Sequence, residues 1–266
     1  MKIVVCIKQV SDTTEVKLDP KTNTLIRDGV PSIINPDDKA GIEAALELKE
    51  RLNDGSTVTI VSMGPPQADV ALREALAMGA DEAYLLSDRA FGGSDTFATS
   101  TIIAAGLKKI GYDLVITGRQ AIDGDTAQVG PQIAEHLGIP QVSYAEEIIS
   151  LDNEKAVVKR QFEDRYHILE LPVPCLITAL SELAEPRYMS VHGIYDAYRE
   201  KEVKVLGFED LKDMFDPANI GLKGSPTNVY KSFTKQAKGA GTKYDDVSAD
   251  EAVKIIVDKL EERHII

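Results

Sequence analysis

Asp123 and Asp125 stand two residues apart in "GRQAIDGDTAQVG" (118–130). Paired carboxylates at short range are the raw material of general acid–base catalysis. Gly, Thr and Gln surround this pair, so the simpler reading is a solvated loop pair capping the helix that follows. The other residue types capable of chemistry form no constellation. His136, His167, His192 and His264 are scattered without metal-ligand spacing and read as structural or surface residues. Ser62, Ser94 and Ser143 lack the GxSxG elbow of a serine nucleophile. Cys6 and Cys175 each lie inside an apolar run and read as small buried hydrophobes. The side chains therefore supply little chemistry of their own, which points to a bound cofactor.

Three segments could hold such a ligand. "KQVSDTTEV" follows the first predicted strand, "MGPPQA" the second and "GRQAIDGDTAQVG" the fourth. The last spends about ten residues on a strand-to-helix connection that ordinarily needs two to six. In doubly wound sheets, ligands sit outside the carboxyl ends of the strands, near the point where strand order reverses. Helix N-termini there offer free N–H groups and a positive dipole end, which suits phosphate. Gly64, Gly118, Gly124 and Gly130 are expected to let the backbone approach a ligand. Each loop read singly is equally well a turn with a helix cap, but three on one edge favour a nucleotide. Neither GxGxxG nor GxxxxGK[ST] occurs.

The elements that must position these loops alternate. Strands are expected at 2–8, 57–63, 83–87 and 113–118. Helical spacing joins Ala40, Ala44, Ala45 and Leu48 over 37–53, then Val70, Ala71, Glu74 and Ala75 over 67–78. It joins Ala98, Ile102, Ala105 and Leu107 over 95–109. This is the pattern of an α/β fold, a doubly wound, mostly parallel sheet with covering helices. From about 142 the rhythm becomes strand after strand: "SYAEEIISL", "KAVVKRQF" and "YHILELPVPCLITAL", with "LDNEK" as a hairpin turn. An antiparallel extension of the sheet is expected. Residues 221–247 are rich in Gly, Lys, Ser and Thr, and Ser248 with Glu251 forms a capping box for a last helix. Its stripe of Val253, Ile256, Val257 and Leu260 needs a surface to dock on. The chain thus divides into a nucleotide-binding domain, 1–200, and a C-terminal arm, 201–266, that folds back or wraps a partner subunit.

Composition sets the outer limits. The chain has 266 residues, 43% hydrophobic and 27% charged, which is ordinary for a globular protein. A net charge of −13 argues against a nucleic-acid footprint. Two cysteines fit a reducing compartment, and no apolar stretch is long enough for membrane insertion. The N-terminus reads as a strand rather than a signal peptide, so a cytoplasmic location is expected.

"CIKQVSDT", "INPDDKAGIEAALELKE", "VSMGPPQADVALREALAMGADEAYLLSD", "GRQAIDGDTAQVGPQIAEHLGIP" and "EPRY" follow one another in order. Together they resemble the β subunit of electron-transferring flavoproteins over essentially all of residues 1–200. The resemblance implies a heterodimer with an α subunit that carries its own FAD. It implies an adenine nucleotide on this chain: structural AMP in housekeeping members, or a second FAD in electron-bifurcating ones. That FAD takes a hydride from NADH and sends one electron to ferredoxin or flavodoxin, the other through the α-subunit FAD to a partner flavin dehydrogenase. The positions matching the nucleotide site are Cys6, Lys8, Asn35, Asp37, Asp38, Met63 and Gly64. From the long loop come Gly118, Arg119, Gln120, Asp123, Gly124, Asp125, Thr126, Gln128 and Val129. Lys8 and Arg119 are the cations best placed for a diphosphate or reduced flavin, though each could be a surface charge at a strand end.

The stretch "SDRAFGGSDTFATSTIIA" (87–104), with Asp95 and Thr96, resembles the bifurcating subgroup, which favours FAD over AMP. Its plainer reading is a helix N-cap at Ser94 or Asp95. After "EPRY", the family's docking loop carries a Leu anchor and lysines. Here Val191 stands at the Leu position and Asp196 and Tyr198 replace lysines, with Ile194 and Tyr195 beside them. If this is the docking loop, an acyl-CoA dehydrogenase partner is in doubt and one oxidising a 2-hydroxy acid such as lactate becomes an option. The rival readings are a housekeeping AMP-binding subunit and a stand-alone adenine-nucleotide-binding module.

Overall fold

Short runs of Val, Ile and Leu buried on both sides can only be strands covered by helices on both faces, and Ile3, Val4 and Val5 are fully buried. A computed structural model of the chain describes residues 1–12, 31–228, 230 and 239–266. In chain order it has β1 (Lys2–Cys6), β2 (Gln9–Ser11), β3 (Ser32–Ile34), α1 (Pro36–Leu52), β4 (Thr57–Met63), α2 (Asp69–Met78) and β5 (Glu82–Leu86). Next come α3 (Thr96–Ile110), β6 (Leu114–Gly118), α4 (Val129–Leu137), β7 (Gln141–Leu151), β8 (Lys155–Gln161), β9 (Tyr166–Pro172) and β10 (Cys175–Ala179). Then follow α5 (Val191–Arg199), β11 (Val203–Leu206), the one-turn α6 (Phe208–Leu211) and α7 (Gly221–Gly224), and α8 (Ala249–Glu261).

Nine strands make one sheet in the order β11-β5-β4-β1-β6-β10-β7-β8-β9. From β11 to β7 every pair is parallel, and β7-β8-β9 is antiparallel. This is the expected doubly wound α/β sheet with its antiparallel extension. The strand order runs one way from β1 through β4 and β5, and the other way through β6, so the switch point lies at β1. Ile42, Leu46, Leu72 and Leu76 of α1 and α2 bury against one face of the sheet. Ile102, Leu107 and Ile133 of α3 and α4 bury against the other.

Several expectations are corrected. Residues 166–180 form two strands, because Pro172 and Pro174 interrupt the ladder. The second of them, β10, leaves the antiparallel hairpins and inserts between β6 and β7, parallel to both. On α2 the buried stripe is Ala71, Leu72, Ala75 and Leu76, while Val70 is 56% exposed and Glu74 only half-buried. The first strand stops at Cys6, and Gln9–Ser11 pairs instead with Ser32–Ile34. The arm does not begin at 201, since β11 pairs in parallel with β5. Leu211 and Ile220 are buried, and the compact unit continues to Tyr230.

The second unit contains residues 231–266, of which 239–266 are described. In it the capping box of α8 is closed, with Glu251 N donating to Ser248 Oγ at 3.3 Å and Ser248 N to Glu251 Oε2 at 3.0 Å. Val253, Ile256 and Val257 of the apolar stripe are exposed. Residues 13–16 of "KQVSDTTEV" and 231–238 of the polar stretch lie outside the described residues.

Candidate functional site

The carboxyl ends of β1 and β6 are tied together by one buried side chain. Asp38, in the first turn of α1, accepts Lys8 N–H through Oδ2 at 2.7 Å and Gly118 N–H through Oδ1 at 2.9 Å. Burial pushes its carboxyl up to about 7 despite those donors. Gly118 has to be glycine here, because a Cβ would overlap Asp38 Oδ1. Gly130 is closed off likewise by Thr117 Oγ1, 2.6 Å from a would-be Cβ. These two glycines are required by the protein's own packing, whereas Gly124 faces open space.

The long loop is held from beneath by Asn35. Asn35 Nδ2 donates to Gln120 O at 2.8 Å, and Ile122 N donates to Asn35 Oδ1 at 3.0 Å. Within the loop, Asp125 N closes a turn onto Ala121 O at 2.9 Å. Asp125 and Ala127 both take left-handed φ values, 53° and 52°. An Asp tolerates that conformation, but for Ala it is strain of the kind that surrounding structure must impose. Both loop carboxylates are engaged. Asp123 pairs with Lys8 Nζ at 2.6 Å, and Asp125 accepts Gln120 Nε2 at 2.7 Å. Neither faces the cleft, so they brace the loop rather than form an acid–base couple.

Between the loop, the strand ends and α3 lies a cleft of about 420 Å³, within the usual range of small-ligand sites. Cys6, Lys8, Asp38 and Met63 line it at the strand ends, and Asp95 and Thr96 from α3. From the loop it receives Gly118, Arg119, Gln120, Gly124, Thr126, Gln128 and Val129. Of the residues matched to a nucleotide site, Asn35, Asp37, Gly64, Asp123 and Asp125 lie outside its lining; all but Gly64 bond or pair with a residue that lines it. Ala121, Ala127 and Gly130 of the same loop line it too, as do Ile7, Ser94, Thr99, Ile103, Thr117 and Ile133, which the sequence motifs do not single out as ligand contacts. Helical spacing could have found three of these. Thr99 and Ile103 follow Asp95 at steps of four, and Ile133 follows Val129.

The electrostatics suit an anion beside an apolar body. The N-cap Gln128 of α4 makes no side-chain cap among the described residues, and Pro131 has no N–H, so the first-turn N–H groups of Val129 and Gly130 have no partner within the helix. Asp95, in contrast, caps α3 by accepting Ala98 N at 3.0 Å. Arg119 Nε stands 3.3 Å from Asp37 Oδ2, and neither atom has an aligned hydrogen bond among the described residues. Burial raises the Asp37 carboxyl, an effect opposed by the Arg119 charge. Burial drives the Cys6 thiol far upward, with the Asp38 charge adding to it, which disfavours a thiolate nucleophile there. Cys175 is likewise pushed up, to about 11. His136 sits against Phe97 with its ring nitrogen 3.2 Å from Thr101 Oγ1 and from Ser100 Oγ, a packing role.

The expected docking loop is a helix, α5, capped by Ser190 Oγ accepting Gly193 N at 2.9 Å. Gly193 lets it lie against Ala77 of α2, and Arg73 reaches across to Ala197 O. Val191 is 87% exposed, with Ile194, Tyr195 and the neighbouring Tyr188 also outside the core. No helix among the described residues is long and apolar enough to cross a membrane.

The electron transfer flavoprotein domain matches residues 22–211. An electron transfer flavoprotein subunit beta of Clostridium acetobutylicum is 59% identical over the whole of both chains. Subunit CarD of the caffeyl-CoA reductase-Etf complex of Acetobacterium woodii is 55% identical, again over the whole of both. The acryloyl-CoA reductase electron transfer subunit gamma of Anaerotignum propionicum is 50% identical at the same coverage. By that domain match and by these whole-length likenesses, the chain belongs to the electron transfer flavoprotein family, as a β subunit.

Proposed function

We propose that this chain, paired with an α subunit, binds FAD in the cleft and serves an electron-bifurcating flavoprotein. The observation that carries the reading is the composition of the cleft. Uncapped N–H groups of Val129 and Gly130 and the Arg119 cation suit a diphosphate. The Gln120 and Gln128 amides and the Thr96, Thr99 and Thr126 hydroxyls suit the polar edges of a nucleotide. Ile7, Ile103 and Ile133 supply apolar surface for a ring. When bound, FAD would accept a hydride from NADH and pass its electrons on singly, one to ferredoxin or flavodoxin and one to the FAD of the α subunit.

No side chain of this chain need donate or accept a proton for that. Asn35 and Asp38 fix the backbone that presents the donors, at the 2.7–3.0 Å distances given above. Arg119, steadied by Asp37, supplies positive charge to an anionic edge, and Lys8, pinned on Asp123, holds the loop closed over the strand ends. The arm, through α8, wraps the partner subunit.

Two relatives are named as parts of acyl-CoA reductase complexes, which favours an acyl-CoA flavoenzyme over a 2-hydroxy acid dehydrogenase as the final partner. A complex named for reduction consumes electrons, so it needs a donor such as NADH upstream. The exposed Val191, Ile194 and Tyr195 are the anchors on which that partner docks. Flavin content tests the reading. The purified heterodimer is expected to carry about two flavins and to reduce ferredoxin from NADH only when the partner and its acceptor are present. One flavin with one AMP would show the housekeeping form instead.

A further inference from the structure

Residues 220–227, far along the chain, lie on the turn that leads into α3. Leu222 N donates to Gly92 O at 3.1 Å, and Gly221 N to Ser94 Oγ at 3.1 Å. Asp95 N donates to Ser225 Oγ at 2.8 Å. Thr227 closes the set, its N and its Oγ1 both donating to Asp95 Oδ2, at 2.9 and 2.7 Å. The fit is specific: Gly93, at φ +75°, leaves its side-chain space to Leu222, and Gly221, at φ +63°, has no room for a Cβ against Ala90 O.

The Asp95 carboxylate is therefore divided. One oxygen caps α3 through Ala98 N, and the other is held by Thr227. Ser94, Asp95 and Thr96 line the cleft, and Thr96 Oγ1 donates to Gln128 Oε1 at 3.1 Å, joining the α3 wall to the rim of α4. Thr227 thus holds Asp95 by hydrogen bonds, and the next residue in the chain, Thr96, bridges to Gln128. Phe91 anchors the start of the turn in the core, but Gly92 and Gly93 then leave Ser94 and Asp95 without packing from their preceding neighbours.

We propose that Ser225 and Thr227 are positioning residues of the cleft: they clasp Asp95 and hold the α3 wall against the bound nucleotide. This rests on reading the cleft as a nucleotide site. By reciprocity, what loosens the clasp weakens ligand binding, and a bound ligand protects the clasp; the weaker binding is read mainly as faster release. It also gives Asp95 a different role from direct ligand contact.

The test uses the purified heterodimer with Thr227→Val, which keeps volume and the backbone N–H but loses the hydroxyl, and Thr227→Ser, which keeps the hydroxyl. Thr227 is exposed, so both variants fold. Thr227→Val is expected to release its nucleotide roughly three- to tenfold faster, the loss of part of one charge-assisted hydrogen bond. Amide exchange at Asp95–Ala98 should quicken by a similar factor, and Thr227→Ser should restore both. Wild-type release from Thr227→Val, or a Thr227→Ser variant as fast as Thr227→Val, overturns the proposal. A wild-type heterodimer without nucleotide would sink the proposed function alone. Exchange at Asp95–Ala98 still decides the clasp then, and exchange unchanged in Thr227→Val overturns it.

Discussion

Asp38→Asn should change the pH dependence of stability in a direction that the buried carboxyl dictates. Asp38 is 6% exposed and its folded value stands near 7, against an ordinary 3.8. Between those limits the folded chain binds more protons than the unfolded one, so stability falls as pH rises. Linkage at up to about 1.4 kcal/mol per pH unit makes that loss roughly 2 kcal/mol between pH 5 and 7, and nearer 3 by pH 8 as the folded group finishes titrating. The amide does not titrate. Its oxygen can still accept one of the two N–H groups of Lys8 and Gly118, while its NH₂ faces the other, a fixed penalty of about 1–3 kcal/mol. The variant heterodimer should therefore be less stable than wild type at low pH and gain on it by roughly 3 kcal/mol toward pH 8. Urea midpoints at pH 5, 6, 7 and 8 give the difference directly. Asp37, whose carboxyl is also raised, is present in both proteins and cancels, and the Cys6 thiol titrates far above the window. A difference constant to within about 1 kcal/mol would refute the reasoning. So would a variant that loses ground as pH rises, since that is the signature of a depressed carboxylate.

Other perturbations separate the parts of the site. Gly118→Ala forces a Cβ into Asp38 and should cost about 3 kcal/mol or more, whereas Gly124→Ala, with Lys8 Nζ the nearest atom at 4.0 Å, should stay within about 0.5 kcal/mol. Equal thermal shifts for the two would show that the strand ends are not packed as described. Asn35→Ala strands Gln120 O and Ile122 N, and should lower stability by about 2 kcal/mol and weaken nucleotide retention roughly tenfold. Full nucleotide after gel filtration of that variant would mean the loop holds its shape unaided. Val191→Asp, at a side chain 87% exposed, should leave the melting temperature unchanged and raise the KM for the partner flavoenzyme about tenfold. An unaltered KM would remove α5 from the docking surface.

Periodicity made the α/β class legible, because β1, β4 and β6 are short β-branched runs and α1 and α3 repeat their small apolar residues at helical spacing. Boundaries failed where long-range pairing outweighed local pattern. Residues 203–206 fall within the expected arm, yet the edge of β5 recruits them as a strand. The run 166–180 reads as one strand, but only tertiary topology sends its second half into the middle of the sheet. Val70 looks apolar enough for a core, and the orientation of α2 turns it to solvent.

The candidate site divides the same way. Its location was readable because loops at the carboxyl ends of parallel strands are set by the order of elements, and glycine, threonine and glutamine in such a loop announce polar backbone contacts. The division of labour within it was not. Gly118 is glycine because Asp38 touches it, Asp123 serves Lys8, and Asp95 serves Thr227 from more than a hundred residues away. Those roles depend on which side chains the fold brings within hydrogen-bond reach. Local sequence carries helix, strand and turn preferences over a few residues, and only the closed sheet decides which distant groups share a buried space.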